Sequence, residues 1–253
     1  MLMNGAEYLE SLRDGRTIRI GSETVRDVTN HPAFKNAARS FARIWDARVS
    51  AEHGDALCAE EDGERFPAYY LMPKSRADLE HRTRSATAIA DLSYGMMGRS
   101  PDFIGGYVTG AAMQPEMFKT DAYDFSANMS AYYKHCRDKD IFLSHAVAPP
   151  QGTRDPEHYG RTSTFVPTLS VTAEGDDGVV INGVKLLATA AAFSHEVWIG
   201  NILPLAPGRE AEAVTCAIPV NSPGLELWSR KPYERFAQSE YDNPLAYRYD
   251  ESD

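Results

Sequence analysis

The hydrophobic periodicity of this chain changes character once, at His145, and that change limits the fold more than any other feature. Up to that point apolar residues recur at helical spacing, one face at a time. Beyond it the runs are short and alternating, with turn residues between them, as in strands. In the first part, residues 33–49 place Phe34, Ala37, Phe41, Ile44 and Trp45 on one face, behind Pro32 at a first-turn position. Ser75 is the predicted N-cap of a second helix, and Asp78 completes an acidic variant of the capping box. The face of this helix that carries Leu79, Ile89, Met96 and Met97 is expected to run as far as Gly98, where Pro101 breaks the pattern. A third helix is predicted from near Gly105 to about Pro115, and a fourth from Phe125 to Arg137.

After His145, residues 148–152 read as a loop and 162–172 as a strand. Asp177-Gly178 and Asn182-Gly183 are both hairpin signals, and residues 196–202 and 213–220 are rich in β-formers. The expected fold class is α+β. Residues 1–146 form a helical domain, residues 147–228 an antiparallel β domain, and residues 229–253 a linker or the truncated end of that β domain. The last stretch has Leu245 as its only large aliphatic residue, too little to bury a core by itself.

Composition removes several function classes. With 26 Lys+Arg against 36 Asp+Glu, the formal charge is −10, which repels nucleic-acid phosphates and anionic lipid, so neither is an expected partner. No apolar run approaches the roughly 18 residues of a membrane span, and the polar start is unlike a signal peptide. Cys58, Cys136 and Cys216 are widely spaced and contain no C-x-x-C pair, which fits a reducing compartment and a cytoplasmic protein. The dinucleotide, Walker, G-x-S-x-G and H-E-x-x-H signatures are all absent, the histidines stand singly, and no metal site is expected.

Three runs could carry chemistry. In Gly95-Met96-Met97-Gly98-Arg99-Ser100-Pro101-Asp102-Phe103, Arg99 precedes a Pro-enforced turn and Gly98 lets a ligand approach the backbone. Read alone, this is equally a helix C-terminus with a cation on its dipole, or an anchor for a carboxylate or phenolate. In Ile141-Phe142-Leu143-Ser144-His145-Ala146-Val147, His145 is either a satisfied core residue or a desolvated acid–base group. Thr189 opens a small-residue stretch after a strand, suited to close packing or to a flat ring lying on the backbone.

Taken in order, these runs resemble the 4-hydroxyphenylacetate 3-hydroxylase family. The likeness extends to Glu7-Tyr8-Leu9-Glu10-Ser11-Leu12-Arg13-Asp14-Gly15-Arg16, to residues 28–40, 140–150 and 183–189, and to Ala217-Ile218-Pro219-Val220-Asn221-Ser222-Pro223-Gly224-Leu225. The resemblance implies the oxygenase component of a two-component monooxygenase. Such a protein takes reduced FAD from a separate flavin reductase and uses O2 to hydroxylate a phenol next to its hydroxyl. It also implies an acyl-CoA dehydrogenase-like fold in which the β domain is a barrel, followed by a C-terminal helical bundle, with a tetrameric assembly. Since family chains continue well past Asp253, the bundle is expected to be absent here and the chain to be a fragment.

Carried over by position, Arg99 matches the arginine that meets the phenolic oxygen and His145 the histidine beside it. Gln151, Arg154 and Thr189 match the region lining the flavin. Phe103 stands where hydroxyphenylacetate hydroxylases often have a tyrosine that also bonds the phenol oxygen, which implies a different or larger phenol. The related 4-hydroxybutyryl-CoA dehydratases need cysteines for an iron–sulfur cluster, and the helix before Arg99 contains none. Two alternatives stay open: a non-catalytic binding or assembly module, and an acyl-CoA dehydrogenase-like flavoprotein that oxidises without oxygenating.

Overall fold

A computed structural model of the chain describes residues 2–150, 168–176, 178–202, 204–233 and 235–252. The chain opens with helix α1 (Gly5–Ser11), started by a reciprocal capping box between Asn4 and Glu7. A hairpin of β1 (Ile18–Ile20) and β2 (Glu23–Val25) leads to helix α2 (Lys35–Arg48). This helix is the centre of the core. Its face of Ala37, Ala38, Phe41, Ile44 and Trp45 is buried, as its spacing predicts. Trp45 stacks on Tyr8 with ring centroids 3.8 Å apart, and Phe41 lies 5.2 Å from both Phe142 and Phe193. Each such fully buried side chain contributes about 1.5–3 kcal/mol, so this helix ties α1 to segments more than a hundred residues away.

A short helix α3 (Gly54–Leu57) and the hairpin β3 (Cys58–Glu61)–β4 (Glu64–Pro67) precede helix α4 (Arg76–Ser93). Ser75 caps α4 by accepting from the Asp78 amide, as predicted. The helix ends earlier than expected, at Ser93, because Tyr94 and Gly95 both turn into the left-handed region. Of the predicted face, Ile89 and Ser93 are buried, but Leu79 and Met96 are exposed, and Met97 buries from the following loop. Pro101 also plays another part than predicted. It is the first residue of helix α5 (Pro101–Met113), where its missing N–H costs nothing. Helix α6 (Ser126–Asp138) follows and buries Met129, Tyr133 and Cys136.

The second half contains strands β5 (Leu143–Ala146), β6 (Ser170–Gly175), β7 (Gly178–Asn182), β8 (Glu196–Ile199), β9 (Cys216–Pro219) and β10 (Leu227–Trp228), then helix α7 (Pro244–Tyr249). β6 and β7 form the first predicted hairpin. The expected second hairpin, at Asn182-Gly183, does not form. Gly183 instead turns a corner at φ 134°, and a Cβ there would lie 2.3 Å from the Thr168 carbonyl oxygen. Val184 then bridges Thr168, and Leu186 bridges Ala148. Glycine is needed here for close backbone approach, and sequence alone cannot tell that from a two-residue turn.

The β part is also not purely antiparallel. β8 pairs antiparallel with β9 but parallel with β5, and β1 pairs parallel with β10. Parallel partners need long crossovers, so they leave no local turn signal in the sequence. Among the described residues the strands make four small sheets and no closed barrel. The segment after residue 229 contains α7 and is not a free tail: Tyr249 and Asp250 are buried, and Arg230 meets Asp250 at 2.5 Å. Among the described residues, no helix is long and apolar enough to cross a membrane.

Candidate functional site

Arg99 lies in the loop between α4 and α5, and Phe103 follows one turn into α5. This i, i+4 spacing puts both side chains on one side of the helix start. The guanidinium carbon of Arg99 sits 4.6 Å from the centre of the Phe103 ring, close enough for a cation–π contact. β5 presents His145 to the same ring, edge-on with centroids 5.5 Å apart. The three residues expected to meet a phenol therefore converge around one ring.

Two polar atoms here lack what buried polar atoms ordinarily have. Arg99 Nε and His145 Nδ1 are buried and have no hydrogen-bond partner. Leaving such groups unpaired in the core costs about 1–3 kcal/mol each. Arg99 Nη1 donates to the neighbouring Gly98 carbonyl at 2.8 Å. Burial, reinforced by the Arg99 charge, holds the His145 imidazole below its ordinary pKa, so the ring is neutral near pH 7. Phe103 is 47% exposed, which opens the cluster on one side.

The third expected run is brought to the same place. Ser144, beside His145, donates from Oγ to the Thr189 carbonyl at 2.6 Å. Ala190 sits in the left-handed region at φ 64°, and its N–H donates to the Glu251 carbonyl at 3.1 Å. Gln151 and Arg154 lie outside the described residues. Glu251 itself was not anticipated. Its carboxylate accepts from the Gly98 and Arg99 amides at 2.7 and 2.9 Å, across more than 150 residues of sequence. An acidic residue in a polar stretch carries no local signal of such a contact.

Among the described residues no three His, Cys, Asp or Glu side chains converge as metal ligands. A cavity of about 1090 Å3 is lined by apolar side chains such as Leu187, Ala188 and Ala191, together with the charged Lys185, Glu226 and Arg230. It does not include Arg99, Phe103 or His145, so the polar cluster is a separate, open feature.

The sequence profile of the family described as 4-hydroxyphenylacetate 3-hydroxylase N terminal matches residues 4–253. The chain is similar to the pyoverdin chromophore biosynthetic protein PvcC of Pseudomonas aeruginosa, with 33% identity over all of this chain and 50% of that protein. It is 34% identical to the 4-hydroxyphenylacetate 3-monooxygenase oxygenase component of the same organism, over 98% of this chain and 48% of that one. A crystal structure of such an oxygenase component with FAD and 4-hydroxyphenylacetate superposes with a TM-score of 0.88 at 31% identity, covering 99% of this chain and 51% of the other. The chain thus spans about half the length of the curated relatives it matches.

Proposed function

The chain belongs to the 4-hydroxyphenylacetate 3-hydroxylase family, and we propose that it carries the phenol-recognising part of a flavin-dependent aromatic monooxygenase. The observation that supports this most is the pair of unpartnered buried atoms, Arg99 Nε and His145 Nδ1, on two side chains that both contact the Phe103 ring. A phenol with its oxygen between them accepts from Arg99 and gives its proton toward the neutral His145. The cation favours the phenolate, which enriches the ring carbon next to the oxygen in electrons. Reduced FAD with O2 would supply the oxygen atom that this carbon takes. The residues present fit one side of a flat cofactor at half-buried Ala188 and Thr189, which Ala190, Ala191 and Ala192 back from within the core. Thr189, with Gln151 and Arg154 by sequence match, would line it.

In this reading residues 1–146 and 147–228 are the helical and β-barrel domains, and residues 229–253 are a linker or the last part of the second. The whole protein works in the cytoplasm as a homotetramer served by a separate flavin reductase. Phe103 offers the substrate a ring face and no hydroxyl, which favours a different or larger phenol than 4-hydroxyphenylacetate. An enzyme oxidising acyl-CoA thioesters would have no evident use for the Arg99–His145 pair.

Replacing Arg99 with Ala tests the assignment. Phenol binding should weaken by about 1.5–3 kcal/mol, the worth of a hydrogen bond to a charged group, while the affinity for reduced FAD stays nearly unchanged. Equal losses for phenol and flavin, measured by titration of the same preparation, would mean that Arg99 only holds the fold.

A further inference from the structure

Three of the site's parts come from separate stretches of chain: the Gly98-Arg99 loop, the strand bearing His145, and the Thr189-Ala190 turn. Two short links hold them together. Ser144 Oγ donates to the Thr189 carbonyl at 2.6 Å, fixing the turn to the histidine strand. Glu251 makes the other link with both ends of the residue. Its carbonyl accepts from Ala190 at 3.1 Å, and its two carboxylate oxygens accept separately from Gly98 and Arg99 at 2.7 and 2.9 Å.

We propose that Glu251 is a positioning residue that sets Arg99 against the Thr189 turn. This inference rests on the phenol-site reading of Arg99. Successive backbone N–H groups make an anion-binding concavity, and here the carboxylate fills it from inside the protein. Such charge-assisted bonds are about twice as strong as neutral ones. With its backbone amide held, Arg99 can lay its guanidinium on Phe103. The Ala190 N–H is available to the clamp because that residue takes a left-handed conformation that a non-glycine residue adopts only under constraint.

The neighbours of Glu251 show that the clamp is itself anchored. Asp250 is buried, forms its bridge with Arg230, and accepts from the Ser252 amide at 3.2 Å. Ser252 exchanges a hydrogen bond with Ser229. Tyr249 packs edge-on against Tyr94 at the end of α4, just before the Arg99 loop. Residues 249–252 thus form a strap that meets the Arg99 loop at two points and the Thr189 turn at one. Glu251 would act through Arg99 and the Thr189–Ala190 turn.

A double-mutant cycle tests this, with 4-nitrophenol as the titrated probe and the purified wild-type, Glu251→Gln, Arg99→Ala and doubly substituted proteins. A glutamine can accept from only one of the two amides and points its own N–H2 at the other. Expected is a rise in the 4-nitrophenol Kd of about tenfold for Glu251→Gln alone, and almost no further rise when Arg99 is already Ala. The same factor in both backgrounds would show a general effect on folding and overturn the proposal. No effect of Glu251→Gln beside a clear effect of Arg99→Ala would overturn it while leaving the phenol site standing. No effect of Arg99→Ala would remove both. Should the glutamine variant not fold, amide hydrogen exchange in the wild-type protein decides: Gly98 and Arg99 should be protected, and free exchange at either would refute the clamp.

Discussion

Arg48→Met should be among the most destabilising single changes in this chain, costing about 3–5 kcal/mol. Arg48 and Asp140 meet at 2.7 Å with both side chains 1% exposed. The Asp140 carboxylate also accepts from the Trp45 indole at 3.1 Å and the Met3 amide at 3.2 Å, and Arg48 donates to the Tyr69 hydroxyl at 2.7 Å. The guanidinium lies 4.5 Å from the Trp45 ring centre as well. Removing the cation leaves a carboxylate in the core with two neutral donors, an uncompensated buried charge. Adding Asp140→Asn to Arg48→Met removes that charge yet keeps an acceptor for Trp45 and Met3. Asparagine also tolerates the positive φ of 53° at position 140. Urea unfolding should therefore find the double variant more stable than Arg48→Met alone. If the double variant is the weaker of the two, the pair is not acting as a buried charge and its counterion.

Acid should weaken the protein through His195 well before its carboxylates protonate. Burial, with Arg16 nearby, pushes this histidine from an ordinary 6.5 down to about 3. Its Nδ1 accepts from the Phe142 amide at 2.9 Å, so its Nε2 carries the proton and donates to Ser11 Oγ at 2.8 Å. A second proton would have to sit against the Phe142 N–H. The sign follows from proton counting. Above pH 6.5 neither state binds a proton here. Between pH 6.5 and about 3 the unfolded histidine takes one and the folded one does not, so stability falls as the pH falls. The slope from this site is about 1.4 kcal/mol per pH unit. His145, also held below its ordinary value, adds in the same direction. Melting curves between pH 7 and 4.5 should show the drop, and His195→Gln should lower stability at pH 7 but flatten the dependence by about one proton. An unchanged slope in that variant would place the acid sensitivity elsewhere.

What the sequence discloses and what it hides divide along sequence separation. The α2 face and the Ser75 cap are written in neighbouring residues, and both stand as read. Arg99, Phe103 and His145 each sit in a short recognisable run, and the fold brings the three side chains together. Pro101 shows the limit of local reading, since a proline that ends one helix pattern is equally suited to begin the next. The Asn182-Gly183 corner, the parallel β5–β8 pair and the Glu251 clamp all depend on partners tens to more than a hundred residues away. Residues 229–253 look unable to fold because their apolar content is low. Residues 249–252 dock all the same, with Tyr249 and Asp250 buried and Asp250 paired to Arg230.

In the proposed site, Arg99 and His145 together receive a phenol and favour its ionised form. The ionisation of bound 4-nitrophenol, followed by its visible absorbance across pH, reads this directly, because phenol and phenolate absorb differently. Bound to the wild-type protein, its pKa should fall by about one unit or more relative to free solution, and the shift should vanish in Arg99→Ala. A probe that binds as the neutral phenol, or that shifts equally in both proteins, would contradict the assignment of this cluster as a phenol site.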